Sequence, residues 1–432
     1  MADATTYSDN RQYLSPVWSH YTDIVVDHAQ GPFVYGTDGN RYIDFTCGIG
    51  VTNTGHSHPK VVAAAQAQLG KIMHSQINLL FHQPMLDLVE ELLPIVPAAL
   101  HSFFFSNSGA EAVEASIKLA RQATKRTNII TFTGSFHGRT VGTMSLTNSN
   151  PIYRIGYQPL MAGVFVAPFP YAYRYGWEPE ATTAFCLREL RHLLATQTAP
   201  SETAAILIEP VLGEGGYVPP TPGFLEGVQQ IAREHGILLI VDEVQSGFGR
   251  TGKWFGFQHY GADAYPLEPD IIVMAKGIAS GLPLSGIAAR PELMAKWPTG
   301  SHGGTYGGNA VSCAAAVATI RAMRDEKMIE NAATMGDGLQ GRLRQLQEEY
   351  PQIGDVRGLG LMVGAEFVTD QGQPDGKLAK AVTKEALHDK LMLLTCGPYG
   401  NVIRWIPPIN VSAAVIDEAT GIFAGALKRV IG

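Results

Sequence analysis

Three short segments of this 432-residue chain carry residue types that could do chemistry. The first runs from Ser106 to Glu111, follows an apolar run and opens a helical pattern. Free backbone N–H groups at the N-terminus of a helix attract anions, so this segment predicts a phosphate cradle. The same residues also fit an ordinary capping box between Ser108 and Glu111, and the two interpretations are compatible.

The other two segments place a charged residue after an apolar, strand-like run. Asp242 follows Ile237–Val241, and ligands of open α/β sheets bind at the carboxyl ends of strands. The alternative for Asp242 is a loop carboxylate in water. Lys276 comes shortly after Ile271–Met274, where partial desolvation would make its amine a better nucleophile. A lysine at a strand end is more often solvated, so this segment alone decides nothing.

Other motif-like stretches lack a residue that their chemistry requires. Gly247–Lys253 nearly matches a P-loop, but Trp254 stands where Ser or Thr must meet magnesium. The glycines within 358–364 have the wrong spacing for a dinucleotide fingerprint. His56 and His58 have no HExxH context, so we expect no metal site.

The elements that must position these residues alternate between β-rich and helical runs. Several β-rich runs are apolar throughout, as expected for strands covered on both faces. This alternation predicts an α/β fold with a mostly parallel central sheet covered by helices. The predicted strands are Phe103–Phe105, Asn128–Phe132, Val164–Ala167, Ala204–Ile208, Ile237–Val241, Ile271–Met274 and Gly286–Ala289, and the predicted helices between them are Glu111–Lys125, Ala181–Ala195 and Gly223–His235.

The length of the chain predicts more than one domain, because single cores stop growing at roughly 250–300 residues. The two ends differ in pattern from the middle and predict a smaller α+β domain. We expect residues 1–54 and 311–432 to form this small domain and residues 55–310 to form the large one. The elements predicted in the ends are the strands Phe33–Tyr35, Tyr42–Phe45 and Gly360–Phe367 and the helices Ala310–Arg324 and Lys327–Glu349.

Composition excludes several classes of partner. Hydrophobic residues make up 45% of the chain and its net charge is -7, so it lacks the basic surface that nucleic acid requires. The polar N-terminus, Met1–Asn10, has no apolar core of a signal peptide, and no apolar run approaches the ~18 residues of a membrane span. These features favour the cytoplasm and no membrane partner. The four cysteines form no CxxC pair, which predicts buried, reduced thiols.

The order of the segments is more informative than any one of them. A glycine-containing turn is followed by an aromatic-His-Gly segment, a strand-end Asp and a strand-end Lys. Pyridoxal phosphate (PLP) needs a helix N-terminus for its phosphate, an anion for its pyridine nitrogen and a lysine for its aldehyde. From about Asp44 to the C-terminus the sequence resembles the class III aminotransferases of PLP fold type I. Within them it resembles bacterial 4-aminobutyrate (GABA) aminotransferases most.

The resemblance implies a cofactor site. Lys276, in Met-Ala-Lys-Gly, would carry PLP as a Schiff base and move the proton during catalysis. Asp242 would keep the pyridine nitrogen protonated. Thr305, in Gly-Gly-Thr-Tyr-Gly-Gly-Asn, would reach the phosphate held by a neighbouring subunit, which implies a homodimer with shared active sites. The remaining cofactor residues implied are Ser108, Gly109 and Ala110 at the phosphate, Phe136 on the ring, Gln245 near the ring's 3-oxygen, and His137 and Glu209 close by.

The resemblance also implies a substrate site for an ω-amino acid and 2-oxoglutarate. Arginine binds carboxylates through a planar fork, which suits a dicarboxylate acceptor. Arg404 would bind the α-carboxylate and Arg139 the distal carboxylate. Glu214 would pair with Arg404 when the substrate has no α-carboxylate. Ile49 would lie beside the substrate chain, and Glu209 would support Arg139.

Substrate choice stays open because of one departure from the family pattern. Leu212 stands where the GABA enzymes typically have Gln in Glu-Pro-Val-x-Gly-Glu. The chain length of the donor and the acceptor, 2-oxoglutarate or pyruvate, are both undecided. Elimination of phosphate from a phospho-amine and racemisation share the same first steps and remain alternatives. A relative without cofactor is disfavoured by Lys276 and Asp242 together, and dimers could pair into tetramers.

Overall fold

The computed structural model describes residues 10–262 and 265–432. The first nine residues, on which the argument against a signal peptide partly depends, lie outside the described residues. The strands in chain order are β1 (Val26–Gln30), β2 (Phe33–Gly36), β3 (Arg41–Asp44), β4 (Ser102–Ser106), β5 (Asn128–Phe132), β6 (Val164–Ala167), β7 (Thr203–Ile208), β8 (Leu238–Asp242), β9 (Gly261–Ala262), β10 (Tyr265–Pro266), β11 (Ile271–Met274), β12 (Ser285–Ala289), β13 (Ile353–Leu359), β14 (Met362–Phe367), β15 (Leu391–Met392), β16 (Leu394–Cys396) and β17 (Val402–Trp405).

The helices alternate with the strands through the middle of the chain. They are α1 (Cys47–Gly50), α2 (Pro59–Leu69), α3 (Gln83–Leu92), α4 (Gly109–Thr124), α5 (Val141–Leu146), α6 (Ala172–Tyr175), α7 (Pro179–Thr196), α8 (Phe224–His235), α9 (Pro291–Met294), α10 (Ala310–Asp325), α11 (Met328–Glu349), α12 (Gly376–His388) and α13 (Ala413–Ile431). Short 3₁₀ helices cover Arg11–Tyr13, Pro151–Tyr153, Gly256–His259 and Lys276–Ile278.

A seven-stranded sheet lies at the centre, in the order β4-β12-β11-β8-β7-β5-β6. Strand β12 runs antiparallel to both of its neighbours, and the other adjacent strands are parallel. Every residue of β7, β8 and β11 is buried, as expected for strands covered on both faces. The predicted α/β class with a mostly parallel sheet is confirmed.

Side chains of the central strands alternate between two helical layers. Ile206 and Ile208 of β7 pack into the core that includes α7 and α8. Leu207, between them, points to the other face and packs with α4. This period of two is what places successive residues of a strand on opposite faces of a sheet.

The ends of the chain build two smaller sheets. One has the order β1-β2-β3-β15 and the other β13-β14-β17-β16. Because β15 pairs parallel with β3, the N-terminal and C-terminal segments share one sheet. The limits at residues 54 and 310 stay predictions.

The predicted central strands agree with the observed ones to within a residue or so at their ends. The sequence interpretation did not predict β1, β13 or the short strands β9, β10, β15, β16 and β17. The cysteines Cys47, Cys186, Cys313 and Cys396 are all buried and unpaired, as predicted. Within residues 10–262 and 265–432, no helix combines the length and the apolar character needed to cross a membrane.

Candidate active site

A cavity of about 550 Å³ opens at the carboxyl edge of the central sheet. The loops after β4, β5, β7, β8 and β11 converge there, because parallel strands end at the same edge. The segments predicted to do chemistry follow these strands and so meet although they are far apart in sequence. The residues that line the cavity include Ile49, Ser108, Gly109, Ala110, Phe136, His137, Arg139, Tyr153, Glu209, Glu214, Asp242, Gln245 and Lys276.

Lys276 lines this cavity just beyond the end of β11. Its φ of 46° turns the chain sharply out of the strand and into a 3₁₀ helix. Burial lowers the pKa of its amine, the charge of Asp242 raises it and the charge of Arg404 lowers it again, so that the resulting pKa is about 8. Lys276 is partly buried in the wall of the cavity, which disfavours the alternative of a solvated strand-end lysine.

Asp242 is the last residue of β8, and its carboxyl group is held from two sides. Oδ2 lies 2.8 Å from Nδ1 of His137, and Oδ1 accepts the backbone N–H of Val244 at 3.0 Å. The other ring nitrogen of His137 lies 3.2 Å from the hydroxyl of Thr131. Asp242, His137 and Thr131 are all buried, so the alternative of a loop carboxylate in water is also wrong.

The N-terminus of α4 points its first peptide groups into the cavity region. Ser108 is the N-cap, and its side chain and that of Glu111 form the reciprocal capping box that the sequence predicted. The N–H of Glu111 donates to the Ser108 hydroxyl at 3.3 Å. The N–H groups of Gly109 and Ala110 have no acceptor within the helix and remain available for an anion.

A glycine lets the next loop approach this helix. Gly138 has a φ of 132°, and a Cβ there would lie 2.6 Å from Oγ1 of Thr143 and 2.8 Å from Cβ of Ala110. Only glycine tolerates both the backbone conformation and the close approach. This packing brings Phe136 and Arg139 to the cavity beside the helix N-terminus.

The carboxyl group of Glu209 fixes the backbone of the same loop by hydrogen bonding. Its Oε1 accepts the backbone N–H of Phe136 and its Oε2 that of Gly213, both at 2.8 Å. Burial raises the pKa of this carboxyl to about 7. No ion pair joins Glu209 to Arg139 within the described residues, and the predicted support of Arg139 by Glu209 stays a prediction; what Glu209 holds is the backbone of Phe136, in the same loop.

Arg404, on β17 of a small sheet, does not itself line the cavity but contacts Glu214, which does. Its Nη1 lies 2.9 Å from Oε2 of Glu214, which is the ion pair that the sequence predicted. Burial would lower the pKa of Arg404, but the charge and hydrogen bond of Glu214, together with Cys396 and Tyr217, outweigh it and the pKa is raised. Nε of Arg404 is buried without a hydrogen-bond partner among the described residues, so one donor of the fork is unused.

Arg139 is exposed at the cavity mouth and has no carboxylate within ion-pair distance among the residues the structure describes. Its guanidinium carbon lies 4.6 Å from the ring centroid of Tyr153 and 6.0 Å from that of Phe136. Tyr153 also donates its hydroxyl to Oε1 of Glu214 at 3.0 Å. Sequence reasoning missed Tyr153, and no motif could have indicated it, because its place depends on how the loop after α5 folds back.

Two further predicted residues border the cavity, and each has an unusual feature. Ile49 is 43% exposed and has a φ of 63°, in the left-handed region that β-branched residues avoid. Gln245 lines the cavity with a buried Oε1 that has no partner among the described residues. A buried amide oxygen left without a donor points to a group that the site is built to bind.

Thr305 and Leu212 do not line the cavity of their own chain. Thr305 is exposed in the loop before α10, so its predicted contact with a neighbouring subunit stays a prediction. Leu212 is buried in the main core, where its side chain packs beneath Gly134 and Gly215. The departure from the family pattern at Leu212 therefore affects the core that supports the loops of the site and not the surface that lines the cavity.

The family model described as "Aminotransferase class-III" matches residues 14–427. The chain belongs to the class III aminotransferases. One relative of this aminotransferase is the 4-aminobutyrate aminotransferase GabT of Escherichia coli (strain K12). It is 39% identical over 404 residues, which cover 93% of this chain and 92% of GabT.

Two other similarities concern the chemistry and the cofactor. The alanine/serine racemase of Pyrococcus horikoshii is 37% identical over 415 residues, covering 94% of the aminotransferase and 86% of the racemase. An amine transaminase from an uncultivated Pseudomonas species, solved in a PLP-bound form, is similar in fold with a TM-score of 0.87. It is 31% identical, and the match covers 96% of this chain and 97% of that one.

This class III aminotransferase uses PLP, and its cavity fits that cofactor. The free N–H groups of Gly109 and Ala110 suit a phosphate, the fixed carboxyl of Asp242 suits a pyridine nitrogen, and the amine of Lys276 suits an aldehyde. The unpartnered Oε1 of Gln245 offers a further polar contact. No cluster of three His, Cys, Asp or Glu side chains able to hold a metal occurs in the described part of the chain.

Proposed function

We propose that this aminotransferase moves the amino group of an ω-amino acid such as 4-aminobutyrate to 2-oxoglutarate, giving a semialdehyde and glutamate. The observation that carries the proposal is the pair of cationic anchors, one uncovered at Arg139 and one covered by a carboxylate at Arg404. An ω-amino donor has one carboxylate and the acceptor has two, so a site with one permanent and one maskable anchor suits both.

In the cofactor site, PLP supplies an electron sink that stabilises negative charge on the substrate carbon bearing the amino group. We assign the covalent attachment and the proton transfer to Lys276. Its amine has a pKa lowered to about 8 by burial, so near neutral pH it can both take and return a proton. Asp242, held in place by His137, would supply a fixed anion for the pyridine nitrogen.

The other cofactor contacts are assigned by their chemistry. Ser108, Gly109 and Ala110 would hold the phosphate at the N-terminus of α4. Phe136 would stack on the ring, its backbone fixed by Glu209, and Gln245 would bind a ring oxygen.

During the donor half-reaction, Arg139 would bind the single carboxylate of the donor. Arg404 would stay paired with Glu214, which hides its charge from an apolar methylene chain beside Ile49. An unpaired buried arginine would cost several kcal/mol, so the pair favours donors that lack an α-carboxylate.

During the acceptor half-reaction, Glu214 would leave Arg404, and the α-carboxylate of 2-oxoglutarate would take its place. The unused Nε of Arg404 provides a second donor for the bidentate geometry that arginine and carboxylate prefer. The amino group then ends on the α-carbon of the acceptor, which leaves as glutamate.

The assay that tests this function incubates the holoenzyme with 4-aminobutyrate and 2-oxoglutarate and measures glutamate and succinic semialdehyde. Equal amounts of both products support the proposal. If no glutamate forms, separate incubations with a single enantiomer of alanine and with phosphoethanolamine test the two alternatives, and racemised alanine or released phosphate would contradict the proposal. Glutamate formed only with plain amines, or alanine formed only from pyruvate, would indicate a broad ω-amine transaminase instead.

We propose a large domain of residues 55–310 between the two parts of a small domain.

We also propose a homodimer in which Thr305 completes the phosphate site of the neighbouring subunit. The exposure of Thr305 outside its own cavity supports this assignment. Thr305→Ala should weaken PLP binding without changing the melting temperature of the apoenzyme.

A further inference from the structure

Tyr153 lies between the two carboxylate anchors, Arg404 and Arg139. Its hydroxyl group contacts Glu214, the ion-pair partner of Arg404. Tyr153 ends the 3₁₀ helix Pro151–Tyr153 and is half-buried at the wall of the cavity. Its hydroxyl donates to Oε1 of Glu214 at 3.0 Å, while Oε2 of the same carboxylate accepts from Arg404 at 2.9 Å. Each oxygen of Glu214 therefore has its own partner in the paired state.

The ring of Tyr153 contacts the other anchor. The guanidinium carbon of Arg139 lies 4.6 Å from the ring centroid, within the range of a cation–π contact. The ring of Phe136 meets the same ring edge to face, with centroids 5.3 Å apart. Arg139 and Glu214 are thus both held by one side chain.

The loop that carries Tyr153 is tied to the loop that carries Arg139. The backbone N–H of Gly134 donates to Oδ1 of Asn148 at 2.7 Å, and Nδ2 of Asn148 donates to the hydroxyl of Ser135 at 2.9 Å. The short helix ending at Tyr153 is capped by Asn150, whose Oδ1 accepts the N–H of Ile152 at 3.0 Å. The position of Tyr153 is therefore fixed relative to both anchors.

We infer that Tyr153 is a positioning residue that sets the preference between donors with one carboxylate and acceptors with two. The inference deepens the proposed function and rests on it for the identity of the two substrates. The hydroxyl stabilises Glu214 in its paired position over Arg404, and the ring holds the guanidinium of Arg139 at the cavity mouth.

The hydrogen bond from Tyr153 to Glu214 has opposite effects on the binding of the donor and of the acceptor. The donor needs Arg404 covered, which the hydroxyl of Tyr153 favours. The acceptor must displace Glu214 from Arg404, which the same hydroxyl opposes. Loss of the hydroxyl therefore shifts substrate preference, whereas a general loss of structure would weaken both substrates.

Tyr153→Phe removes the hydroxyl and keeps the ring. We expect the KM for 4-aminobutyrate to rise about fivefold and the KM for 2-oxoglutarate to fall by a similar factor, which is what one hydrogen bond of ordinary strength is worth. The kcat of each half-reaction should change little. Equal shifts of both KM values in the same direction, or no shift, would overturn the inference.

Tyr153→Leu removes the ring as well. We expect the KM for 4-aminobutyrate to rise about threefold beyond that of the Phe variant, because a cation–π contact at a partly exposed site is lost. A monoamine without a carboxylate should show no such further change. A Leu variant that behaves like the Phe variant would overturn the role of the ring.

A double-mutant cycle shows whether the hydroxyl acts through Glu214. In a Glu214→Gln background, Tyr153→Phe should have a much smaller effect on both KM values than in the wild type. The same effect in both backgrounds would overturn the inference. Tyr157→Phe is the matched control, because Tyr157 is an exposed tyrosine of the same loop outside the cavity, and it should leave both KM values unchanged. Melting temperature and PLP absorbance of each variant report on folding.

A separate readout distinguishes failure of this inference from failure of the proposed function. If the wild type forms no glutamate from 4-aminobutyrate, the proposed function fails. Tyr153 is then tested by titrating the holoenzyme with glutarate, a dicarboxylate that needs both anchors, and following the PLP absorbance. Glutarate should bind about fivefold more tightly to the Tyr153→Phe variant, by the same hydrogen-bond argument. Unchanged glutarate affinity would overturn the inference whatever the natural donor is.

Discussion

Nδ1 of His137 lies 2.8 Å from Oδ2 of Asp242, and both side chains are buried in the wall of the cavity. The carboxyl group also accepts the N–H of Val244, so it can neither rotate nor leave its place at the end of β8. A fixed anion at this point is what a pyridine ring needs if it is to withdraw electrons from a substrate.

Asp242→Asn keeps the shape of this side chain and removes its charge. We expect the rate of the half-reaction with glutamate, followed by stopped-flow absorbance, to fall by about a hundredfold or more. The reason is that removing one partner of a buried charge pair costs about 2–5 kcal/mol. Asp337→Asn, at an exposed position, should not change the rate. An unchanged rate in the Asp242 variant would contradict the role assigned to this carboxylate.

Arg139→Ala tests the distal anchor. The KM for 4-aminobutyrate should rise about thirtyfold or more, because a carboxylate loses its charged partner in a partly desolvated site. The KM for a monoamine without a carboxylate should barely change. Arg188→Ala is a matched control, since Arg188 also lies over an aromatic ring, that of Phe185 at 5.4 Å, but outside the cavity. Equal effects of Arg139→Ala on both donors would exclude Arg139 as the anchor.

The capture of PLP by the apoenzyme should depend on pH through Lys276. Only the neutral amine reacts with an aldehyde, and burial lowers the pKa of this amine to about 8. The second-order rate of PLP capture, measured by absorbance, should therefore rise with pH up to about 8 and level off above it. A rate that continues to rise through pH 10, as for an ordinary lysine, would show that the pKa of Lys276 is not lowered.

The backbone at Ile49 holds strain that a different side chain relieves. Cys47, Gly48, Ile49 and Gly50 all have positive φ values, and 63° is unfavourable for a β-branched residue. Ile49→Asn should raise the free energy of unfolding by about 1 kcal/mol, because asparagine tolerates the left-handed region. Chemical denaturation measures the change, and Ile49→Val, which stays β-branched, should not show it. A destabilised Asn variant would mean that the apolar contacts of Ile49 outweigh the strain.

The central sheet was predictable because its strands are apolar throughout and helices separate them. Ile271–Met274 and Asn128–Phe132 agree with the predicted bounds. The short strands β15 and β16 have two and three residues, which is too few for a period-two pattern to be recognised. The pairing of β15 is with β3, which is distant in sequence, whereas β16 pairs antiparallel with β17 across the short turn that follows it.

The site residues could be named from the sequence only as an ordered set of motifs. Lys276 alone resembled a solvated lysine, and its desolvation depends on the burial that the folded site imposes. The pair Arg404–Glu214 was predicted through the family resemblance, whereas the contacts of Tyr153 with Glu214 and Arg139 have no sequence signature. They arise from a loop whose fold is set by Asn148 and Asn150.

Reduction of the holoenzyme with borohydride, followed by peptide mass spectrometry, tests the central assignment most directly. Reduction makes the bond between PLP and a lysine permanent, so the modified peptide identifies the attachment site. The structure predicts the modification on the peptide that contains Lys276, and none in the Lys276→Ala variant. A holoenzyme whose PLP is recovered on another lysine, or on no peptide at all, would contradict the assignment.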